Sequence, residues 1–416
     1  MRLQPRRVSG VCSGEIGIVV RSGQREHPLN IETERRRLFS RVSLPAIIIL
    51  ILAGSQVHLF GQTLASQTAP SSNISPQTLQ QVLDRAREGT KAPGASVAIM
   101  IDGKLFWEGS SGLAKVDSGL PVNESTLYSL ASVTKTFTAT MVLRLYEESK
   151  VDLDDPIKPY VPGYMPSTDE VTVRDLLGMT SGYSDVEGDP IIIRWLSNPN
   201  FPWTRAPILT RVRPVAFKPG TRYNYSNTNY VILGAIIDHV SRLGVGGEFE
   251  RLIVNPVGLS GEAFFERVPK AAERIAHGYD LQHGKEVDGF RGARRLGVPT
   301  SVWGVVWTDG GVAATASGVA RFTDALFGGK ILQPDTLAMM IKPGPDHSYG
   351  LGTYRMWFDR HEWQGNNGYY NGFTTITMYD FSRRLTVTVL TNYTNNGDAA
   401  SAIWYEIAKA YDQGAP

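Results

Sequence analysis

The sequence predicts an α+β fold, an α/β sandwich: an antiparallel sheet built from both chain ends, flanked by helices, with a mostly helical region inserted. Three observations carry this. Strand-like runs lie near the start of the body (residues 94–101 and 104–108) and again near its end (348–357, 374–379 and 385–390). A helical pattern borders each group of strands, at 76–88 and 399–411. Between them, about 126–335, apolar residues recur at helical spacing among long Pro- and Gly-containing loops.

Each element has its own signal. Ser75 is a plausible N-cap for the first helix, Pro76 suits its first position, and Leu79, Val82 and Leu83 supply an apolar face. The run Gly94-Ala95-Ser96-Val97-Ala98-Ile99-Met100-Ile101 reads as a strand, and Asp102-Gly103 as the hairpin turn into its return strand. Residues 132–148 carry Phe137, Met141, Val142 and Leu145 at helical spacing. A turn-rich loop at 218–227 leads into an apolar helix over 230–240. There is no internal repeat.

The chain has 416 residues and a formal charge of +2, unevenly placed. Residues 1–43 hold nine arginines against four glutamates, leaving the remainder slightly acidic and without a nucleic-acid signal. The single cysteine, Cys12, excludes a disulfide framework in the body. Residues 1–66 read as a leader with an export signal or N-terminal anchor. Arg35, Arg36, Arg37 and Arg41 precede an apolar run over 44–53, too short to span a bilayer comfortably. Arg36-Arg37-Leu38-Phe39 resembles a twin-arginine signal, although a general-secretion leader is favoured. Residues 67–75 read as a linker and 76–412 as one folded domain.

Ser132-Val133-Thr134-Lys135 places a lysine one helical turn after a serine, on the same face. A helix start favours negative charge developing at Ser132, and a desolvated Lys135 would release its proton more readily. Alone, this pattern is weak: Ser-x-x-Lys arises by chance about once in a chain of this length. Tyr225-Ser226-Asn227 adds a phenol that, beside a lysine cation, can take the serine proton and return it to a leaving group. Asn227 offers an amide for a substrate carbonyl and for orienting Lys135.

With the flanking residues the pattern becomes specific. The run from Tyr128 to Phe137 resembles the nucleophile segment of the serine β-lactamase-like superfamily, which includes class C β-lactamases, D-Ala-D-Ala carboxypeptidases, D-aminopeptidases and related esterases. Leu153-Asp154-Asp155-Pro156-Ile157, Leu176-Leu177-Gly178-Met179-Thr180-Ser181-Gly182-Tyr183, Phe217-Lys218-Pro219-Gly220, Gly310-Gly311-Val312, Tyr349-Gly350-Leu351-Gly352 and Val389-Leu390-Thr391-Asn392 resemble its further landmarks, in order. The resemblance implies an acyl-enzyme on Ser132, with Lys135 and Tyr225 moving protons. It also implies oxyanion donors from the backbone of Ser132 and Tyr369, with Gly368 permitting close approach.

One departure stands out. The superfamily's Lys-Thr-Gly or His-x-Gly triplet reads Asn366-Asn367-Gly368 here. Asn366 can donate a hydrogen bond but carries no charge, so weaker recognition of carboxylate-bearing β-lactams and D-peptides follows. Arg355, Arg360 or His361 are candidates to supply the charge. Trp303-Gly304-Val305-Val306-Trp307, Tyr369 and Tyr370 are equally readable as an acyl pocket or as core packing. No Gly-x-Ser-x-Gly elbow and no metal-ligand spacing occurs, so neither an α/β-hydrolase nor a metal or other cofactor is expected.

The expected function is an exported serine hydrolase cleaving an ester or amide. The expected partner is a small-molecule or peptide acyl substrate, with no nucleic acid and membrane contact only through an uncleaved N-terminal segment. A non-catalytic ligand-binding or sensor protein on the same scaffold is the alternative.

Overall fold

The computed structural model describes residues 74–192, 208–265, 272–282, 285–288, 307–370, 372–394 and 397–414. The leader, residues 67–73 of the linker, and Trp303-Gly304-Val305-Val306 lie outside the described residues. Among the described residues, no helix is long and apolar enough to cross a membrane.

The main sheet has seven strands: β1 (Gly94–Ile101), β2 (Lys104–Lys115), β3 (Leu120–Pro121), β4 (Tyr354–Phe358), β5 (His361–Tyr370), β6 (Phe373–Asp380) and β7 (Leu385–Thr391). Their spatial order is β3-β2-β1-β7-β6-β5-β4, all antiparallel. The two chain ends meet where β1 pairs with β7, from Ala95 opposite Thr391 to Ile101 opposite Leu385. Asn392, fully buried, locks this seam: its Oδ1 accepts from the Gly94 amide at 2.7 Å and its Nδ2 donates to the Leu113 carbonyl at 3.1 Å.

Strand alternation decides which face each residue covers. Val97 and Ile99 of β1, with Val387 and Val389 of β7, face α1 (Pro76–Thr90) and the closing helix Ala399–Gly414. Ala98 and Met100 face the inserted region. Both faces being covered explains the nearly continuous apolar run in β1. On the terminal-helix side Trp404 is fully buried, meets Trp363 edge-on at 4.9 Å, and donates its indole N–H to the Val387 carbonyl at 3.1 Å.

The inserted region is mainly helical, with α2 (Thr134–Glu147), α3 (Asn227–Val240) and α4 (Ala316–Phe327) as its longer helices. It also contains a small sheet of Tyr128–Ser129, Val312–Ala314 and Ala263–Phe265, which carries the chain into the nucleophile segment. Two strands depart from expectation. β2 continues to Lys115 because pairing with β1 runs through Gly109 and Gly112, glycines whose weak strand preference hides the continuation. β4 starts only at Tyr354 because the preceding residues turn back, Gly352 at φ +83° lying close against α2.

Trp404→Ala is expected to destabilise the protein by about 3–5 kcal/mol, as for other large core truncations. Urea unfolding measures this; a loss below about 1 kcal/mol would mean the terminal helix is not held by this aromatic contact.

Candidate active site

Ser132 lies in a 3₁₀ turn, Ala131–Val133, which runs directly into α2. The residue before it, Ala131, has φ +47°, a left-handed conformation that costs an L-residue about 1–2 kcal/mol. The turn is held from outside: the Leu130 carbonyl accepts from Thr375 Oγ1 of β6 at 2.8 Å, and the Leu130 amide donates to the Val312 carbonyl at 2.9 Å.

Tyr225 is delivered by a loop tied down by a distant landmark. The amides of Ala216, Gly220 and Asn224 donate to the carbonyls of Gly182, Thr180 and Met179. Asn227 then opens α3, with Ser226 as its N-cap residue. The loop brings the Tyr225 hydroxyl to 2.6 Å from Ser132 Oγ, and Lys135 Nζ donates to the same Oγ at 3.0 Å. A serine, a phenol and an ammonium thus converge on one oxygen. Tyr225 is 38% exposed whereas Lys135 is 1% exposed, so the site opens to solvent on the tyrosine side.

β5 forms the opposite wall. A side chain at Gly368 would place its Cβ 2.4 Å from the Leu130 carbonyl oxygen, 2.6 Å from Thr375 Oγ1 and 2.9 Å from the Ser132 amide nitrogen. No other residue type permits this approach. Pairing of β5 with β4 ends at Gly365, so the edge beyond it is uncovered by β4. Tyr369 is 53% exposed there.

Three sequence expectations need correction. Lys135 does not release its proton more readily. Burial pulls its pKa down, but Tyr225 and the Asp309 carboxylate pull the other way, and the net direction is up. The second partner of Nζ is the Asp309 carbonyl at 2.7 Å. Asn227 does not aim its amide nitrogen at a substrate carbonyl: it donates to Asp185 Oδ2 at 3.0 Å and Glu187 Oε2 at 3.1 Å. Asn366 is 5% exposed and turned inward, its Nδ2 donating to Thr136 Oγ1 and the Gly352 carbonyl.

Among the described residues, none of the three candidates, Arg355, Arg360 and His361, is placed to replace the missing cation. His361 pairs with buried Asp380 at 3.0 Å, and lies about five residues of strand, or about 16 Å, from Asn366. Arg355 donates to the His347 carbonyl and lies 3.9 Å from Glu362. Arg360 sits in the turn before β5 at φ +66°. Trp307 is a core residue at 1% exposure. Among the described residues, no group of acidic, histidine or cysteine side chains could hold a metal.

The carboxyl cluster of Asp185, Glu187 and Asp309 was not among the sequence candidates. Burial, then Asp309 and Asp185, push the Glu187 carboxyl well above the usual range, with Lys135 pulling back. Asp309 is also raised, first by burial, with Lys135 and the Glu187 hydrogen bond opposing. Only the position of Asp309 next to Gly310-Gly311-Val312 hinted at a place near the site.

Comparisons with known proteins agree with this architecture. A family model described as Beta-lactamase matches residues 79–412. The chain belongs to the Beta-lactamase family, within the serine β-lactamase-like superfamily. It is similar to protein flp of Staphylococcus aureus (strain N315), 29% identical over 218 residues covering 50% of this chain and 42% of flp. It is 27% identical to a D-aminopeptidase of Gluconobacter oxydans (strain 621H) over 325 residues, 74% of this chain and 58% of that protein. The chain thus spans less than half of flp and little more than half of the D-aminopeptidase. Among solved structures, a D-amino acid amidase from Ochrobactrum anthropi SV3 in complex with D-phenylalanine superposes with TM-score 0.67 at 25% identity, covering 80% of this chain and 98% of that one. The octameric penicillin-binding protein homologue from Pyrococcus abyssi gives 0.66 at 25% identity, covering 81% and 77%.

Gly368→Ala is expected to slow acylation of Ser132 by about 100-fold or more, because it displaces the wall carrying the strand amide. Stability should fall by about 1–3 kcal/mol. Labelling by a fluorophosphonate and a thermal melt measure the two effects; unchanged labelling would show that this approach is not needed for the chemistry.

Proposed function

We propose that this protein is an exported serine hydrolase that cleaves esters or amides through an acyl-enzyme on Ser132. The convergence of Lys135 Nζ and the Tyr225 hydroxyl on Ser132 Oγ is the observation that carries the reading. Ser132 Oγ attacks the carbonyl carbon while its proton passes to Tyr225 in its phenolate form. The Tyr225 phenol returns that proton to the departing oxygen or nitrogen. Water then attacks the acyl-enzyme by the same route, releasing the acid and restoring Ser132. Lys135 stays charged and stabilises the phenolate and the developing oxyanion electrostatically; it does not shuttle the proton. The Ser132 and Tyr369 amides are assigned to the oxyanion.

The charge of the site supports a reading of the substrate class. The third motif brings no cation to the site, and a carboxyl cluster lies behind it. D-Amino-acid amides, the class in the name of the D-amino acid amidase, and neutral esters fit this balance better than carboxylate-bearing β-lactams. The N-terminal arginine-rich leader supports export, with the apolar run as an anchor if it is retained. An assembled nucleophile argues against a purely ligand-binding role.

A fluorophosphonate should label the protein, and Ser132→Ala should abolish labelling and turnover together. In a panel of p-nitrophenyl esters, D-amino-acid amides, D-Ala-D-Ala peptides and nitrocefin, the first two classes should lead. A missing charge-assisted contact is worth about 1.5–3 kcal/mol, or about 10- to 100-fold in kcat/KM. Labelling that survives Ser132→Ala would overturn the mechanism; nitrocefin as the best substrate would overturn the specificity.

A further inference from the structure

We propose that Glu187 is a positioning residue of this centre: as a neutral carboxylic acid it bridges the Asp309 carboxylate and the Asn227 amide, and so fixes the wall that holds Lys135 against Ser132. The inference rests on the proposed acyl transfer at Ser132.

The bridge joins three elements. Glu187 lies in the short turn Val186–Gly188, Asn227 opens α3, and Asp309 belongs to the four-residue helix Trp307–Gly310. Asn227 Nδ2 donates to Glu187 Oε2 at 3.1 Å and to Asp185 Oδ2 at 3.0 Å, which occupies both of its hydrogens. Among the described residues, no nitrogen or hydroxyl donor reaches the buried Asp309 Oδ1, and the Glu187 carboxyl is a group that faces Asp309. A carboxyl can satisfy that oxygen only if it keeps its proton. The Asp309 backbone carbonyl in turn accepts from Lys135 Nζ at 2.7 Å.

The same helix is fastened to both sides of the site. Thr138 Oγ1 donates to the Thr308 carbonyl, and Thr308 Oγ1 to the Tyr230 carbonyl, each at 2.6 Å. A displacement at Asp309 therefore reaches α2 and α3 together.

The charged groups facing Glu187 are Asp309 from the Trp307–Gly310 helix, Asp185 from its own loop, and Lys135 from α2. Arg211 and Arg213 of the following segment pair with Asp189 instead. Burial and the two carboxylates favour the neutral acid, and Lys135 opposes them, so Glu187 keeps its proton to a higher pH than an ordinary carboxyl. As pH rises past that point Glu187 gains charge, its bond to Asp309 is lost, and a like charge appears beside Asp309 and Asp185. The rate of Ser132 acylation should fall along that limb.

Glu187→Gln tests this. The amide reproduces the neutral acid, with one group to donate to Asp309 and one to accept from Asn227, but it cannot ionise. The readout is the rate of fluorophosphonate labelling of the full chain against pH. On the acid side of the limb the variant should label within about threefold of the wild type. On the alkaline side it should retain the rate that the wild type loses. Asp185→Asn should shift the wild-type limb to lower pH, because one of the charges that keeps Glu187 protonated is gone; this arm applies even if Glu187→Gln fails to fold. Superposable profiles for the wild type and Glu187→Gln, or an unmoved limb in Asp185→Asn, would overturn the proposal, as would loss of labelling by folded Glu187→Gln at every pH. Failure of the wild type to label at Ser132 would instead reject the acyl-transfer reading.

Discussion

Lys135 is 1% exposed, and an ammonium in such a place has to be answered on every side. Its nitrogen donates to Ser132 Oγ and the Asp309 carbonyl and lies 5.1 Å from the centre of the Tyr225 ring. Those partners come from three separate segments, so satisfying one cation specifies how α2, the tyrosine loop and the Trp307–Gly310 helix meet. The Asp309 side chain then adds a carboxylate behind the lysine, and Glu187 shares a proton with it. Chemistry and architecture depend on the same buried charge.

The sheet supplies the fixed reference against which this group works. Joining both chain ends at β1 and β7 makes the platform non-local, and Asn392 closes the seam. β5 and β6 then press Gly368 and Thr375 against the strained turn that carries Ser132. The left-handed Ala131 persists because this packing over-determines it.

Much of this was legible in the sequence. The apolar run of β1 before the Asp102-Gly103 turn and the Ser75-Pro76 start of α1 give those elements away, since strand preference, turn chemistry and capping are local effects. The convergence of Ser132, Lys135 and Tyr225 was readable from the order of landmarks. The charge relations were not. Asp185 and Glu187 sit in a turn, where acidic residues ordinarily face water, and no local pattern says that this turn closes over an amine. The sequence also suggested that desolvation would govern Lys135, whereas opposite charges folded around it outweigh burial. Asn227 and Asn366 were assigned to a substrate by type, yet both spend their amides on the protein.

The central claim is that Lys135 remains a cation and acts by its charge. The direct measurement is an NMR titration of the protein labelled at the lysine ε-carbon, with the Lys135 signal assigned by its disappearance in Lys135→Met. The account predicts that this signal stays in its protonated position past the ordinary lysine value of about 10.4. A midpoint near neutral pH would contradict it and return the proton-carrying role to the lysine.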